Sequence, residues 1–252
     1  MNFKELHQQA TPLLIANVWD VPSALLAERM SFRALGTSSA AIAQMLGYQD
    51  GEQMSFKELV YIVERIIHHV NTPLSVDIEG GYSRDPAIVA GHIKQLVALG
   101  VVGVNLEDSI VQDGERTLVE ANEFAEKLTK IKALLAQAQV SVFLNIRTDT
   151  FLLKEPHLLA ATKTRIDLYE KAGADGIFIP GITTEADIKE IQQNTTLPLN
   201  VMGLPGLPNF TALQHLGVKR ISVGNFLQEY MHQQYTQKLD QILSDQSFQS
   251  VF

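Results

Sequence analysis

Residues 74–108 read LSVDIEGGYSRDPAIVAGHIKQLVALGVVGVNLED, and this stretch decides the fold. It predicts a short apolar strand over Leu74–Ile78, an amphipathic helix over Pro86–Leu99 and a second strand over Val101–Leu106. The pair Asp85-Pro86 is typical of a helix start, with an N-cap aspartate before a proline in the first turn. A strand, a crossover helix and a second strand of these lengths predict a parallel βαβ unit.

The same unit recurs along the chain. The predicted strands are Leu13–Val18, Ala34–Ser38, Leu74–Ile78, Val101–Leu106, Val140–Ile146, Gly176–Ile179, Leu197–Val201 and Arg220–Val223. The predicted helices are Ser23–Glu28, Phe56–His69, Pro86–Leu99, Asn122–Ala136, Leu158–Ala172, Glu185–Gln193, Thr211–Leu216 and Phe226–Leu243. Eight units in 252 residues predict an α/β fold, with one (β/α)8 TIM-type barrel domain over residues 1–252 rather than an open doubly wound sheet.

The composition of the chain excludes several classes of partner and of functional site. Apolar residues make up 46% of the chain and charged residues 19%, which is enough for a full core. The net charge is -8 and no run of Lys and Arg occurs, which argues against nucleic acid as a partner. The absence of cysteine excludes disulfides, zinc-thiolate sites and cysteine catalysis. No apolar run approaches the roughly 20 residues of a membrane span and no signal-peptide core is visible, so we expect a cytoplasmic protein away from membranes.

Four carboxylates follow neighbouring predicted strands. Asp77 and Glu79 are two residues apart and share a side of an extended strand, Glu107 ends the next strand, and Asp50 lies in the loop after the second strand. In a (β/α)8 barrel the carboxyl-terminal strand ends form the active site. Oxygen ligands without His or Cys suit Mg²⁺, or Mn²⁺, better than Zn²⁺. Any single acid could instead cap a helix, but four around one mouth predict a metal site.

Arg147, at the end of the fifth predicted strand, carries the positive charge expected near an anionic substrate. Its guanidinium could clamp a carboxylate through two hydrogen bonds, or it could form a structural salt bridge with Asp149. The seven histidines fall outside the strand ends, and no lysine stands at one. The sequence therefore argues against a histidine-based metal site, a Ser-His-Asp relay and a Schiff-base enzyme.

Motifs of one family occur in order over nearly the whole chain. They are Asn17-Val18-Trp19-Asp20, Gly36-Thr37-Ser38-Ser39-Ala40, Leu46–Gly51, Asp77–Tyr82, Leu106-Glu107-Asp108, Arg147–Thr150, Gly173–Gly176 and Phe178–Gly181. On these residues the chain resembles the isocitrate lyase/phosphoenolpyruvate mutase superfamily. The resemblance implies a barrel whose last helix is exchanged between subunits of a homodimer or homotetramer. It also implies Mg²⁺ bound directly by Asp77, with Asp50, Glu79 and Glu107 engaged largely through waters.

The resemblance further implies the substrate class and part of its binding site. The expected ligand is a small 2-oxo or 2-hydroxy carboxylate, and the shared chemistry cleaves or forms a bond next to a carbonyl through an enolate-like intermediate. Two further strand-end residues complete the predicted substrate-binding set, which is Trp19, Ser38, Ser39, Ala40, Arg147 and Asn200. The predicted catalytic residues are Arg147, Asp50, Glu107 and Glu115.

The departures from the family lie just after Glu107. Residues 108–117 read DSIVQDGERT, without the cysteine motif of isocitrate and methylisocitrate lyases and without the Lys-Thr-Asn-Ser of phosphonate-handling members. Gly181 replaces a glutamate that many lyases carry, and Glu79 stands where many members have Asp. The metal half of the site is therefore kept, while the loop that selects the reaction matches neither subgroup.

Three functions remain open from the sequence. The first is a Mg²⁺-dependent lyase or decarboxylase, with oxaloacetate as the first substrate to assay, in which Glu115, Arg116, Tyr48 or Tyr82 replaces the missing cysteine. The second is the phosphorus–carbon bond chemistry of phosphoenolpyruvate mutase or phosphonopyruvate hydrolase. The third is a non-catalytic protein that binds 2-oxo acids.

Overall fold

The computed structural model describes residues 2–252 and shows the predicted barrel. Eight parallel strands close in the order β1-β10-β9-β8-β7-β4-β3-β2. They are β1 Leu13–Val18, β2 Ala34–Thr37, β3 Leu74–Asp77, β4 Gly103–Glu107, β7 Phe143–Arg147, β8 Gly176–Ile179, β9 Leu199–Met202 and β10 Arg220–Ser222. The remaining strands are β5 Ser109–Gln112 and β6 Glu115–Leu118. The (β/α)8 prediction is confirmed, with all eight barrel strands near their predicted places.

Helices follow the barrel strands and cover the outside of the sheet. They are α1 Phe3–Leu6, α2 Val21–Arg29, α3 Ser39–Met45, α4 Phe56–Ile67, α5 Pro86–Leu99, α6 Ala121–Gln137, α7 Thr150–Leu153, α8 Leu158–Lys171, α9 Glu185–Gln192, α10 Phe210–His215 and α11 Phe226–Asp245. The predicted cap is present, since Asp85 accepts a hydrogen bond from the Ala87 N–H at 2.8 Å. Gly100 ends α5 with a φ of 107°. Among the described residues, no helix combines the length and apolarity of a membrane span.

A β-hairpin after β4 was not predicted. Strands β5 and β6 pair antiparallel, with Val111 opposite Arg116, and form a two-stranded sheet outside the barrel. The turn is Asp113-Gly114, with φ angles of 53° and 83°. Asp-Gly with two positive φ angles is a strong hairpin signal, so the sequence did contain the information. The strands were missed because they are only four residues long and lack a continuous apolar run.

The small residues after β2 begin a helix that was not predicted. Ser38 is the N-cap of α3, and its side chain accepts a hydrogen bond from the Ala41 N–H at 3.3 Å. Ser39 and Ala40 lie in the first turn of this helix. Ala and Met are strong helix formers, and a serine cap satisfies one free N–H group, so the segment begins a helix at Ser39.

The amino-terminal end of the barrel is closed by an apolar plug. It consists of Phe3, Leu6, Leu13, Ile15, Ala34 and Phe143, all less than 9% exposed. The His7 ring stacks on Phe143 with centroids 4.1 Å apart, and its Nδ1 lies 3.0 Å from the Phe3 carbonyl oxygen. Helix α1 thereby seals the barrel on the side away from the strand ends that carry the acids.

The middle of the barrel is polar rather than filled by branched apolar residues. Asn145 Nδ2 donates to Asn105 Oδ1 at 2.9 Å and to Asn200 Oδ1 at 3.0 Å. Asn200 Nδ2 donates to Ser222 Oγ at 3.2 Å, and Arg220 Nη2 donates to Asn105 Oδ1 at 3.3 Å. These side chains link four strands across the interior and lie beneath the acid-bearing strand ends.

Candidate active site

Three side chains from neighbouring strands meet at the carboxyl-terminal end of the barrel. Asp77 ends β3, Glu107 ends β4 and Arg147 ends β7, and these strands are adjacent in the sheet. Glu107 and Arg147 stand opposite each other in the β4–β7 register. Strand β4 continues one residue past its predicted end, which makes Glu107 the last strand residue rather than the first loop residue. The strand ends thus bring the predicted acids and the predicted arginine together.

Protein carboxylates contact all three nitrogens of the Arg147 guanidinium. Nε and Nη2 donate to the two carboxylate oxygens of Asp149 at 2.6 and 3.0 Å, a bidentate pair. Nη1 lies 2.9 Å from Oε2 of Glu107. Burial lowers the pKa of Arg147, but Glu107 and Asp149 outweigh burial and hold the pKa above its usual range. The structure therefore shows the salt bridge to Asp149, and a role in clamping a substrate carboxylate stays a prediction.

A second arginine reaches the same carboxylates from the hairpin. Arg116 in β6 contacts Glu107 through Nη1 and Asp50 through Nη2, the latter at 2.7 Å. Nη1 also lies 2.8 Å from Ser109 Oγ and 3.4 Å from Asp149 Oδ2. The Arg116 side chain is 15% exposed. Arg116 thus joins the hairpin to the acids at the barrel mouth.

The loop after β3 is held in an uncommon backbone conformation. Glu79 and Tyr82 have φ angles of 49° and 58°, and Glu52 in the facing loop has a φ of 60°. The Glu52 N–H donates to Glu79 Oε2 at 2.7 Å, and the Tyr82 N–H donates to Glu52 Oε1 at 2.6 Å. The Tyr82 hydroxyl donates to Glu79 Oε1 at 3.2 Å. This closed set of contacts offsets the backbone strain and fixes the Glu79 carboxylate in place.

The acids at the barrel mouth repel one another. Burial, together with the charges of Asp50, Glu107 and Asp77, raises the pKa of Glu79 from 4.5 to about 8. Burial also raises the pKa of Asp77, against the attraction of Arg147. Burial likewise raises the pKa of Glu107, although two arginines contact it. Burial is the largest cause of each raised pKa, and repulsion among the acids adds to it.

The donor chemistry of this cluster suits a hard divalent cation. Asp50, Asp77, Glu79 and Glu107 offer only carboxylate oxygens, which Mg²⁺ and Mn²⁺ prefer. Within residues 2–252, however, no three His, Cys, Asp or Glu side chains are arranged so as to hold a metal ion. Protein groups already contact these acids, since Glu79 accepts hydrogen bonds from Glu52 in the facing loop and from Tyr82, and Arg116 spans Asp50 and Glu107. The residues fit the cation by donor type and charge, and the metal site stays a prediction.

A buried network that the sequence did not indicate supports the site from behind. Asp108 Oδ1 accepts a hydrogen bond from the Asp149 N–H at 3.0 Å. Asp108 Oδ2 accepts from Arg165 Nη1 at 3.0 Å and from the Tyr169 hydroxyl at 2.7 Å. Asp108 was visible in the motif after β4, but its partners on α8 lie 57 and 61 residues away. The network fixes Asp149 and, through it, Arg147.

Besides Arg147, one of the predicted substrate-binding residues contacts the acid cluster directly. Ser39 Oγ donates to Asp77 Oδ2 at 2.8 Å. Trp19 is 7% exposed and packs in the hydrophobic core, while Ala40 is half-buried in α3. Asn200 is fully buried in the polar interior of the barrel, bonded to other side chains. The structure thus brings Ser39 and Arg147 to the cluster and places Asn200 below it.

Glu115, predicted as catalytic, lies away from the cluster. It is exposed on β6 opposite Gln112, and its side chain makes no hydrogen bond or ion pair with any residue in 2–252. The adjacent residue, Arg116, faces the acids because side chains alternate along a strand. A catalytic role for Glu115 stays a prediction.

The acids and arginines stand at the carboxyl-terminal strand ends of a (β/α)8 barrel, which is where enzymes of this fold have their active sites. The family model described as "Phosphoenolpyruvate phosphomutase" matches residues 3–243. The chain therefore belongs to this family, and the resemblance to the isocitrate lyase/phosphoenolpyruvate mutase superfamily is confirmed. Enzymes of this superfamily are lyases and mutases, which favours catalysis over the alternative of a non-catalytic binder.

Individual relatives cover most of the chain. An uncharacterized protein of Mycobacterium tuberculosis is 34% identical over 225 residues, which are 89% of this chain and 82% of the relative. Oxaloacetate decarboxylase 1 of Pseudomonas fluorescens is 30% identical over 225 residues, 86% of this chain and 75% of the relative. A crystal structure from Burkholderia cenocepacia J2315, described as a candidate phosphonomutase, has a TM-score of 0.85 at 35% identity and covers 96% of this chain and 97% of its own.

Proposed function

We propose that the protein is a divalent-metal-dependent lyase that decarboxylates a small 2-oxo dicarboxylate, with oxaloacetate as the first substrate. The observation that carries the proposal is the meeting of Asp77, Glu107 and Arg147 at adjacent strand ends, beside the additional acids Asp50 and Glu79. The likeness to Pseudomonas oxaloacetate decarboxylases adds support at about 30% identity. Neither the phosphonate motif nor the lyase cysteine is present in residues 108–117.

The acids and arginines take separate roles in this proposal. Asp77 would hold the cation, with Asp50, Glu79 and Glu107 as the other acids that would help to hold it. The bound cation would supply Lewis-acid polarisation of the substrate carbonyl. Arg147, kept charged by its paired carboxylates, binds a substrate carboxylate and stabilises negative charge that develops beside it.

The chemical step needs no cysteine. The bond between the leaving carboxylate and the carbon next to the carbonyl breaks, carbon dioxide leaves, and the electron pair forms an enolate. That enolate then takes one proton to give the 2-oxo monocarboxylate. Tyr82 is the group we assign to deliver this proton, because its half-buried hydroxyl is an O–H donor that lies 3.2 Å from Glu79 in the acid cluster.

The test is a decarboxylation assay with oxaloacetate and Mg²⁺, following carbon dioxide and pyruvate together. Asp77→Asn should lower kcat/KM at least about 100-fold, since it removes a buried charge beside Arg147. Asp113→Asn, in the exposed hairpin turn, is the matched control and should keep full activity. Glu115→Gln tests the predicted catalytic role of Glu115, which unchanged turnover would contradict. Unchanged turnover in Asp77→Asn, or no turnover by the wild type, would refute the assignment.

Phosphorus–carbon bond chemistry is the second candidate. The matching family model and the 35% identical Burkholderia structure favour it, whereas the missing loop motif does not. Incubation with phosphonopyruvate and Mg²⁺ followed by ³¹P NMR separates the two functions. A phosphonate signal that converts to phosphate or to a phosphate ester would establish this chemistry in place of decarboxylation.

A further inference from the structure

Arg116 occupies a position that a bound cation would also need. Its two terminal nitrogens contact different acids, Asp50 through Nη2 at 2.7 Å and Glu107 through Nη1. The acids come from two separate parts of the barrel mouth, and the guanidinium bridges them. Each lone pair that accepts a guanidinium N–H is lost to the hydration shell of a metal ion, and the guanidinium charge repels a cation held by the same carboxylates.

We propose that Arg116 is an internal counter-cation that competes with a divalent metal ion for Asp50 and Glu107, so that metal binding and seating of the hairpin oppose each other. This inference rests on the proposed function only in taking these acids as the metal side of the site. Arg116 acts here as a positioning residue for the hairpin and the acids.

The charge of the cluster attracts both cations to the same carboxylates. Two arginines, Arg116 and Arg147, lie among five carboxylates, which are Asp50, Asp77, Glu79, Glu107 and Asp149. A divalent ion would supply the missing positive charge. Its arrival would weaken the hold of the acids on Arg116, because like charges placed on the same oxygens repel.

The hairpin is mechanically tied to Arg116. Val111, opposite Arg116 in the β5–β6 register, packs on Gly51, where an added Cβ would lie only 2.6 Å from the Val111 Cβ. Gly51 follows Asp50 in the chain. Both hairpin strands therefore rest on the loop that carries one of the contested acids. Releasing Arg116 removes the ion pairs that hold this contact in place.

Metal binding and the Arg116 contacts are linked equilibria, so the proposal can be tested by measuring metal affinity without an activity assay. If metal binding weakens the Arg116 contacts, removal of Arg116 must strengthen metal binding by the same factor. Mn²⁺ affinity is measured by electron paramagnetic resonance for wild type, Arg116→Met, Arg116→Gln and Arg84→Met. Arg84 is the matched control, because it lines the cleft beside Glu107 but pairs with none of the acids in residues 2–252.

We expect Arg116→Met and Arg116→Gln to bind Mn²⁺ about tenfold more tightly than wild type. Arg84→Met should change the affinity less than about threefold, because an exposed charge is screened by salt. Hydrogen exchange gives a second readout. In wild type, Mn²⁺ should speed exchange over residues 109–118, whereas the Arg116 variants should exchange quickly with or without metal.

Two results would overturn the inference. One is Mn²⁺ affinity in the Arg116 variants no higher than in Arg84→Met, including no binding to any of them. The other is hairpin exchange that Mn²⁺ leaves unchanged or slows in wild type. The oxaloacetate assay separates this from the proposed function. Oxaloacetate turnover without competition between Mn²⁺ and Arg116 would contradict the inference alone. Competition without oxaloacetate turnover would contradict the decarboxylase assignment alone.

Discussion

Asp149 is a fully buried carboxylate on which both arginines of the site converge. It pairs bidentately with Arg147, lies 3.4 Å from Arg116, and accepts a hydrogen bond from Ser109 Oγ at 2.5 Å. Its own N–H donates to Asp108, so the backbone is held as firmly as the side chain. Removing one partner from a buried pair leaves the other charge uncompensated, and this cost is several kcal/mol.

Asp149→Asn should therefore destabilise the protein by about 3 kcal/mol. The asparagine amide would turn a donor toward the Arg147 guanidinium, which itself can only donate. Urea unfolding measures the loss of stability, and the KM for oxaloacetate should rise because Arg147 is no longer fixed. The exposed Asp113→Asn serves as the control and should stay within about 0.5 kcal/mol of wild type. A stable Asp149→Asn variant with an unchanged KM would contradict this account.

His7 should make stability fall in mild acid. Burial, helped by the Arg220 charge, lowers the pKa of His7 from 6.5 to about 3. Between these values the unfolded chain takes up a proton that the folded chain refuses, so stability present above pH 6.5 is lost as the pH falls. At pH 5 the loss is about 2 kcal/mol.

His7→Phe keeps a ring on Phe143 and removes the titrating group. The drop in unfolding free energy between pH 7.5 and pH 5 should shrink by about 2 kcal/mol in this variant. The exposed His68→Gln is the control and should retain the wild-type pH dependence. The measurement is urea unfolding at several pH values. If the unfolding free energy of wild type and of His7→Phe changes equally with pH, His7 is not the source of the loss.

At the scale of elements, the hairpin depends on a glycine in another loop. Gly51 has a φ of 108°, and a Cβ there would collide with the Val111 side chain. Gly51→Ala should therefore push the hairpin off its seat as well as strain its own backbone. Faster tryptic cleavage after Arg116 is the expected result, with a loss of about 1 kcal/mol or more in stability.

Gly47→Ala is a closely matched control for this change. Gly47 also has a positive φ, 86°, but an added Cβ there meets nothing within 4 Å. It should cost stability through backbone strain alone and leave cleavage after Arg116 at the wild-type rate. If both variants cleave equally, the contact between Gly51 and Val111 does not hold the hairpin.

The elements also show what the sequence could predict and what it could not. The eight βα units follow from local apolar runs and helix caps, so the barrel and the acid-bearing strand ends are readable from the sequence. The ion pairs of Arg116 are not, because they join Asp50 and Arg116 across 66 residues through a hairpin whose strands are only four residues long. Glu115 and Arg116 are equally plausible from sequence, and only the strand alternation separates their faces.

At the scale of the whole molecule, the last helix leaves apolar side chains uncovered. Leu227, Met231, Tyr235, Leu239 and Leu243 recur every four residues of α11 and are 41–75% exposed. Helix α11 is anchored near its start, where the buried Gln228 donates to the Ala41 carbonyl oxygen at 2.8 Å. An exposed apolar stripe of this length marks an interaction surface. The helix exchange between subunits that the resemblance implies would cover it.

We therefore predict a homodimer or homotetramer held by α11, measured by light scattering after size-exclusion chromatography. Leu239→Glu with Leu243→Glu should dissociate it, because two buried unpaired charges at an interface cost several kcal/mol. Gln233→Glu with Gln237→Glu adds the same charge at exposed polar positions of α11 and should leave the assembly intact. A wild-type protein that is a monomer at micromolar concentration would contradict the prediction. Dissociation by both double variants would point to net charge rather than the apolar stripe, since the chain already carries a net charge of -8.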